Sequence, residues 1–217
     1  SDRFIYGTCY HGDCKYDHAR GDQCDKCGKL CNALELIDPK CKLCDKPPEK
    51  FKSYHYFLNL PNVENKLKEW INKTSVEGNW TQNSISITNG FVNEGLKERC
   101  ITRDLKWGVP VPDDDPDLKN KVFYVWFEAP IGYLSITANF VGIDNWKKWW
   151  QNPEHVKSYQ FMGKDNVTFH TVIFPSTLIG TGENYTLLYH LSTSEYLNYE
   201  NDKFSKSKGV GVFGDMA

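Results

Sequence analysis

Seven of the chain's eight cysteines fall between Cys9 and Cys44, in the segment CYHGDCKYDHARGDQCDKCGKLCNALELIDPKCKLC. Cys24 and Cys27 form one Cys-x-x-Cys step and Cys41 and Cys44 form another, with thirteen residues between the two steps. Two such turns each present a pair of thiolates, and four thiolates complete one tetrahedral zinc. Gly28 follows the first turn, where a residue free to take positive φ lets backbone amides point at the sulfurs. Four sulfur ligands leave no open coordination position, so the ion expected here holds the fold and does not activate water. Cys9 and Cys14, with four residues between them and His11 inside the gap, admit three readings: they replace one of the tight pairs as ligands, they share a second, incomplete site with Cys31, or they are free thiols. Repeated Cys-x-x-Cys steps fit metal better than a disulfide framework, and without strand-helix alternation around them they do not read as a thioredoxin-like redox pair. The isolated Cys100 reads as a core residue.

Other groups with chemistry lie in the second half. The stretch NDKFSKSKGVGVFGDMA sets Lys203 and Lys206 beside Ser205, Ser207 and three glycines. It contains no G-x-x-x-x-G-K-[ST], and its G-x-G-x-x-G match at Gly209, Gly211 and Gly214 lacks the following helix and strand that a dinucleotide fingerprint needs. What remains is a pair of point charges on a short loop able to reach an anion, against the plainer reading of a solvated basic tail. In VWFEAPIGY, Trp126 offers a broad apolar wall, Ala129 and Pro130 bring backbone close, and Tyr133 stands one turn into the next helix. In GKDNVTFHTVIFP, Gly163, Lys164 and Asp165 form a strand-to-helix turn, while Asn166, His170 and Phe174 are spaced by four and share a helical face. A carboxylate just past a strand suits a ribose, and His170 with Phe174 suits an apolar pocket carrying one polar group. For any one of these residues alone, core packing is the commoner fate.

The elements that must hold these groups follow from pattern. The alternating run SYHYFLNL reads as a strand; VENKLKEWI puts Val63, Leu67, Trp70 and Ile71 on one helical face behind a capping Asn62. VPVPDDDPD, residues 109–117, is a Pro-rich acidic connection. Beyond it KVFYVWF reads as a buried parallel strand and APIGYLSITANF as a helix with Pro130 at its first turn. SYQFMG is a strand, NVTFHTVIFPSTLIG a helix kinked near Pro175, TLLYHLST a further strand, and EYLNY pairs with KFS across Glu200-Asn201-Asp202. The fold expected is α/β: half of a doubly wound parallel sheet over residues 105–217, preceded by an α+β module with a zinc knuckle over residues 1–104.

Composition bounds the partners. With 217 residues, 40% of them hydrophobic, the chain can bury a core. Its 26 basic and 28 acidic side chains leave a formal charge of -2, so contact with nucleic acid requires a local patch. No apolar run approaches the ~20 residues of a membrane helix, the first residues lack the apolar core of a signal peptide, and a cytoplasmic setting is expected. The sequons at Asn72, Asn79, Asn166 and Asn184 then carry no meaning.

The segment KFSKSKG resembles the KMSKS signature of class I aminoacyl-tRNA synthetases, with Phe204 in place of the methionine. Together with RGDQCDKCGKL, CITRDLKWGVPVP, FYVWFEAPIGYLSITANF and GKDNVTFH, in this order, it resembles the methionyl-tRNA synthetases of the eukaryotic and archaeal type across essentially the whole chain. The resemblance implies a connective-peptide domain with its zinc knuckle over 1–104 and the second half of a Rossmann catalytic domain over 105–217. It implies methionine contacts at Arg103, Trp126, Ala129, Pro130, Tyr133, His170 and Phe174, adenosine contacts at Gly163 and Asp165, and charge stabilisation by Lys203 and Lys206. The implied ligands are L-methionine, ATP with Mg²⁺, tRNA(Met) and a structural Zn²⁺. Glu128 departs from the family's aspartate, the Cys9–Cys14 gap from the usual two residues, and there is no HIGH-type motif, so the chain alone is not expected to form methionyl-adenylate. The competing expectation is a zinc-ribbon module touching RNA through Lys40, Lys42, Lys46 and Lys50.

Overall fold

The computed structural model describes residues 4–21, 24–29, 31–112, 114–200, 202–206 and 209–214, with only the backbone at Asp202 and Lys203. The chain forms two compact units, residues 1–58 with 99–129 and residues 59–98 with 130–217, so each half of the sequence on either side of residue 104 contributes to both. Among the described residues no helix is long and apolar enough to cross a membrane.

In the first unit β1 (Ile5–Thr8), β2 (Ala19–Arg20) and β3 (Ile37–Cys41) make an antiparallel sheet in the order β2-β1-β3. Burial alternates along β1, with Ile5 and Gly7 inward, as a strand with one covered face requires. A Cβ at Gly7 would come within 2.8 Å of the Ile37 carbonyl, so only glycine lets β1 close on β3. The core here is small: Ile5, Cys9, Ala19, Cys24 and Leu36. Downstream, β4 (Phe57–Leu58) pairs antiparallel with β5 (Arg99–Cys100), and β6 (Thr102–Arg103) with β7 (Val122–Phe123). The strand expected over SYHYFLNL is thus only two residues long, although Ser53 and His55 still face inward and Tyr54 outward.

KVFYVWF does not form a buried parallel strand. After β7 the backbone turns helical over Val125–Glu128, with the Phe127 and Ala129 N–H groups donating to the Tyr124 and Val125 carbonyls at 2.8 Å. A short apolar run fits a strand and a packed helical turn equally well, and here the ladder stops at Phe123.

The second unit begins with a 3-10 turn (Leu60–Val63) leading into α1 (Glu64–Glu77). The cap is Asn59, whose side chain accepts the Asn62 N–H, and not Asn62; Pro61 fits the first turn, where no N–H is needed. Leu67 and Ile71 are buried and Val63 and Trp70 half-buried, as the 3.6 period predicts. There follow α2 (Gln82–Asn93), α3 (Ile131–Val141), β8 (Ser158–Gly163), α4 (Phe174–Gly180) and β9 (Leu188–Ser194). β8 and β9 are parallel, in register from Tyr159 opposite His190 to Gly163 opposite Ser194, with α4 in the crossover. This is one β-α-β step of the expected sheet. β10 (Asn198–Tyr199) and β11 (Asp202–Lys203) make a hairpin at the expected place, but Asp202, expected in the turn, pairs with Tyr199, and the ladder ends at Lys203 without reaching Phe204 and Ser205.

The kink near Pro175 takes the form of a widened turn. Pro175 has no N–H to donate backwards and its ring crowds the preceding turn, and the helix is a π-turn over Phe169–Ile173 before α4 begins. The end of α1 is stitched to β9: Tyr189 Oη donates to the Glu77 carbonyl at 2.7 Å, Trp80 Nε1 donates to the Tyr189 carbonyl at 2.8 Å, and His190 Nδ1 donates to the Gly78 carbonyl at 2.7 Å. A Cβ at Gly78 would overlap the Tyr189 carbonyl, which is backbone and cannot swing aside. Gly78→Ala is therefore expected to lower stability by about 3 kcal/mol, measured by urea denaturation, whereas Gly90→Ala, facing open space in α2, is expected to be neutral or stabilising by a few tenths.

Candidate metal centre and ligand-binding residues

The thiols of Cys9, Cys14, Cys24 and Cys27 lie within 4.8 Å of one another. Cys9 Sγ is 3.9 Å from Cys27 Sγ, and Cys14 Sγ is 3.7 Å from Cys24 Sγ. Sulfurs bound to one tetrahedral zinc at about 2.3 Å stand about 3.8 Å apart, so these two separations already match the edge of a ZnS₄ centre and the other pairs lie within 4.8 Å. The first tight turn is shaped for this: the Cys24 N–H donates to the Lys29 carbonyl at 2.9 Å, the Gly28 N–H to the Cys24 carbonyl at 2.8 Å, and Gly28 has φ +72°. Burial pushes the Cys9 thiol up to about 11 and the Cys27 thiol up to about 12. Four thiolates so placed need a cation's charge, and the donor set fits zinc.

The quartet is not the one that spacing favours. Cys41 and Cys44 form a second turn with the same bonds, Cys41 N–H to the Lys46 carbonyl at 2.9 Å and Asp45 N–H to the Cys41 carbonyl at 2.8 Å, yet they are not among the four clustered thiols. The partners of Cys24 and Cys27 come from the looser pair, because β1 carries Cys9 out of the sheet beside the first turn. Cys31 lies with Cys9 and His11 in an overlapping group within the same 4.8 Å limit.

In the second unit the ring of Tyr133, on α3, meets three others: His170 at 5.7 Å, Phe174 at 6.1 Å and Trp150 at 6.4 Å between centroids. Trp150 was not legible as a member of this group; the only signal was the aromatic run WKKWW. Its indole N–H donates to Thr137 Oγ1 at 2.9 Å, one turn beyond Tyr133. His170 Nδ1 lies 2.8 Å from the Asn166 carbonyl, which only accepts, so Nδ1 carries a proton. Nε2 then accepts the Tyr133 hydroxyl at 2.9 Å. Burial lowers the His170 pKa, against a smaller upward pull from the Asn166 carbonyl. The imidazole is neutral at pH 7, and the cluster presents aromatic rings and uncharged polar atoms. Pro130 is buried at the start of α3.

Past the carboxyl end of β8 the turn Lys164–Asn166 divides its charges. Lys164 reaches Glu195 at 2.5 Å, at the end of β9, and lies 4.7 Å from the Tyr196 ring centroid. Asp165 folds back over Gly163, where a Cβ would stand 2.8 Å from its Oδ1. The glycine thus makes room for a carboxylate at a parallel-strand end, where α/β folds bind ligands.

In the lysine loop Ser205 and Val210 exchange backbone bonds at 2.8 and 3.0 Å, with exposed Lys206 in the loop between them. Gly209 and Gly211, at φ +67° and +131°, serve this turn. The Phe204 ring covers Gly211 and meets Phe213 at 5.2 Å. The Lys203 side chain, Ser207 and Lys208 lie outside the described residues.

In the first unit Arg103 places its guanidinium 4.0 Å from the Tyr124 ring centroid, and Tyr124 stacks on half-buried Trp126 at 5.8 Å and 18°. Ala129 is exposed. Of the lysines proposed for RNA, Lys40 lies 3.6 Å from Asp45.

All 217 residues match the family model described as tRNA synthetases class I (M). The chain belongs to this family. It is similar to the cytoplasmic methionine-tRNA ligase of Arabidopsis thaliana, 59% identical over 99% of the chain, and to that of Saccharomyces cerevisiae, 58% identical over all of it. The chain spans only 26% and 28% of those two proteins. Among solved structures it is similar to Mycobacterium tuberculosis methionyl-tRNA synthetase bound to methionyl-adenylate, at 25% identity and TM-score 0.62 over 84% of the chain and 35% of that protein. That likeness agrees with the α/β architecture around β8 and β9.

Two outcomes follow. Zinc analysis is expected to find a metal that Cys9→Ser, Cys14→Ser, Cys24→Ser or Cys27→Ser each removes, and that the double change Cys41→Ser with Cys44→Ser leaves bound. For His170, an unfolded chain takes up its proton near pH 6.5, whereas the folded chain does so only at lower pH. Between those values the unfolded state binds more protons, so stability falls as pH drops below 6.5, by at most ~1.4 kcal/mol per pH unit. His170→Gln is expected to flatten that part of a urea-midpoint profile.

Proposed function

We propose that the chain is the part of a cytoplasmic methionine-tRNA ligase that recognises methionine and handles ATP, with residues 1–104 as its connective-peptide domain and 105–217 as the second half of its catalytic domain. The observation that carries this reading is the neutral Tyr133–His170 pair within the Tyr133, Trp150, His170 and Phe174 cluster. A thioether is apolar and polarisable and makes favourable contacts with aromatic rings, whereas a charged side chain finds no counter-ion there. One methylene is worth only about 1–3 kcal/mol, so discrimination falls to the shape of these rings and the contact to sulfur. Trp126, Ala129, Pro130 and Arg103 are assigned further methionine contacts.

The reaction needs no side-chain nucleophile. Methionine's carboxylate attacks the α-phosphate of ATP, the bond to the β-phosphate breaks, and pyrophosphate leaves with Mg²⁺; a terminal ribose hydroxyl of tRNA(Met) then attacks the carbonyl of the methionyl-adenylate, the acyl–phosphate bond breaks, and AMP leaves. Asp165 is assigned the ribose hydroxyls beside Gly163. Lys206, on its tight loop, and Lys203 neutralise charge that builds on the phosphates, a contribution of ~3 kcal/mol per well-placed donor. Cys9, Cys14, Cys24 and Cys27 would hold a zinc whose part is structural, since four thiolates would leave it no open position.

Methionine-dependent ATP–pyrophosphate exchange by the full-length protein tests this. Lys206→Ala is expected to lower kcat by about 100-fold with methionine KM nearly unchanged, and His170→Ala to raise methionine KM by about tenfold with ATP KM nearly unchanged. Exchange indifferent to methionine would refute the reading.

A further inference from the structure

Beside the β6–β7 ladder lies a polar cluster, open to solvent on its Asp104 side, that the roles above leave unused. Arg103 stands opposite Val122, so Asp104 and Lys121 face one another one step beyond the ladder's end. The Lys121 ammonium, on a residue only 7% exposed, bonds to Asp104 Oδ1 and to Ser53 Oγ. Ser53 Oγ in turn donates to Asp104 Oδ2 at 2.8 Å, and His55 Nε2 lies 3.3 Å from the same oxygen. The other ring nitrogen of His55 is 2.9 Å from the hydroxyl of fully buried Thr102, which also accepts the Tyr56 N–H at 3.1 Å. Burial raises the Asp104 pKa, but the bonds from Lys121 and Ser53 and the Lys121 charge outweigh it and hold the carboxyl below its ordinary value.

The location of the cluster indicates its use. A ladder of two residue pairs specifies its register weakly, and a slip of one residue would turn every side chain to the opposite face. The Asp104 side chain is 53% exposed but that of Lys121 only 8%, so a slip that parts them leaves the ammonium buried with Ser53 in place of its counter-charge, and the ion pair just past the ladder favours the observed register. What that register holds is a stack: Arg103 donates to the Thr102 carbonyl at 2.8 Å and lies over Tyr124, the Tyr124 N–H donates to the Ile101 carbonyl at 2.8 Å, and the Tyr124 ring lies on Trp126.

We propose that Asp104 and Lys121 are a positioning pair for methionine recognition: they lock β6 against β7 and thereby hold Arg103, Tyr124 and Trp126 in one stack. The inference rests on the reading above, in which Arg103 and Trp126 contact methionine. Neither Asp104 nor Lys121 need touch the substrate.

The test uses the full-length protein and steady-state exchange, with KM for methionine and for ATP measured separately and folding followed by thermal denaturation. The charge-free double variant Asp104→Asn with Lys121→Met keeps the volumes and leaves no buried charge unpaired; Asp104→Glu keeps the charge but displaces it; Lys121→Arg keeps both charge and reach. The double variant is expected to raise methionine KM by ~10-fold and Asp104→Glu by ~3-fold, with ATP KM within twofold of wild type and with Lys121→Arg near wild type. Methionine KM unmoved in whichever of the first two variants folds, or ATP and methionine KM rising together, overturns the proposal. Trp126→Ala separates the levels: if it too leaves methionine KM unchanged, the assignment of Trp126 to methionine is at fault, whereas a raised value there with unmoved values at Asp104 and Lys121 rejects the positioning role alone.

Discussion

The bond from the Tyr133 hydroxyl to His170 requires an imidazole with one bare nitrogen, and burial supplies that condition by making the charged ring costly. Everything around the ring follows from keeping it dry and in one tautomer. The Asn166 carbonyl fixes the proton on Nδ1, the widened turn before Pro175 carries the ring inward, and Phe174 and Trp150 also pack against Tyr133, which stays 40% exposed. Were the ring charged, both nitrogens would be donors and Tyr133 would have to turn its own proton elsewhere. The bond from half-exposed Tyr133 and the depressed pKa of the histidine are therefore two consequences of one buried imidazole.

The first unit meets a different difficulty. Its strands are short, several of them two residues long, and a backbone hydrogen bond adds only about 1 kcal/mol net, so the ladders cannot hold themselves. Cross-links outside the ladders do that work. Around β1 to β3 the cross-link is a quartet of thiols with the spacing of a metal centre; around β6 and β7 it is the ion pair of buried Lys121 with exposed Asp104, joined by a serine and a histidine. In both places polar chemistry takes the part that a larger apolar core takes elsewhere.

Regular elements governed by local pattern were legible in the sequence. β8 matches SYQFMG residue for residue, α3 begins behind Pro130, and the apolar face of α1 is the one its period marks. What the pattern could not convey depended on partners distant along the chain. The two Cys-x-x-Cys turns both form, yet spacing cannot say which sulfurs converge, and the answer turned on where β1 delivers Cys9. VFYVWF is equally apolar as strand or helix, and Trp150 joins the aromatic cluster through a bond to Thr137 that no motif announces. Asn62 offered a plausible cap, but Pro61 moved the helix entry back to Asn59.

Phe204 occupies the position where the family's lysine loop has methionine, and its ring covers Gly211 and meets Phe213. A thioether at that position is open to conversion to the sulfoxide, which would set a polar, chiral group against the glycine. Phenylalanine has no such chemistry. The anchor of this loop is therefore inert to peroxide, and any oxidative loss of function in this chain must arise elsewhere, with the cysteine-rich segment the first place to look.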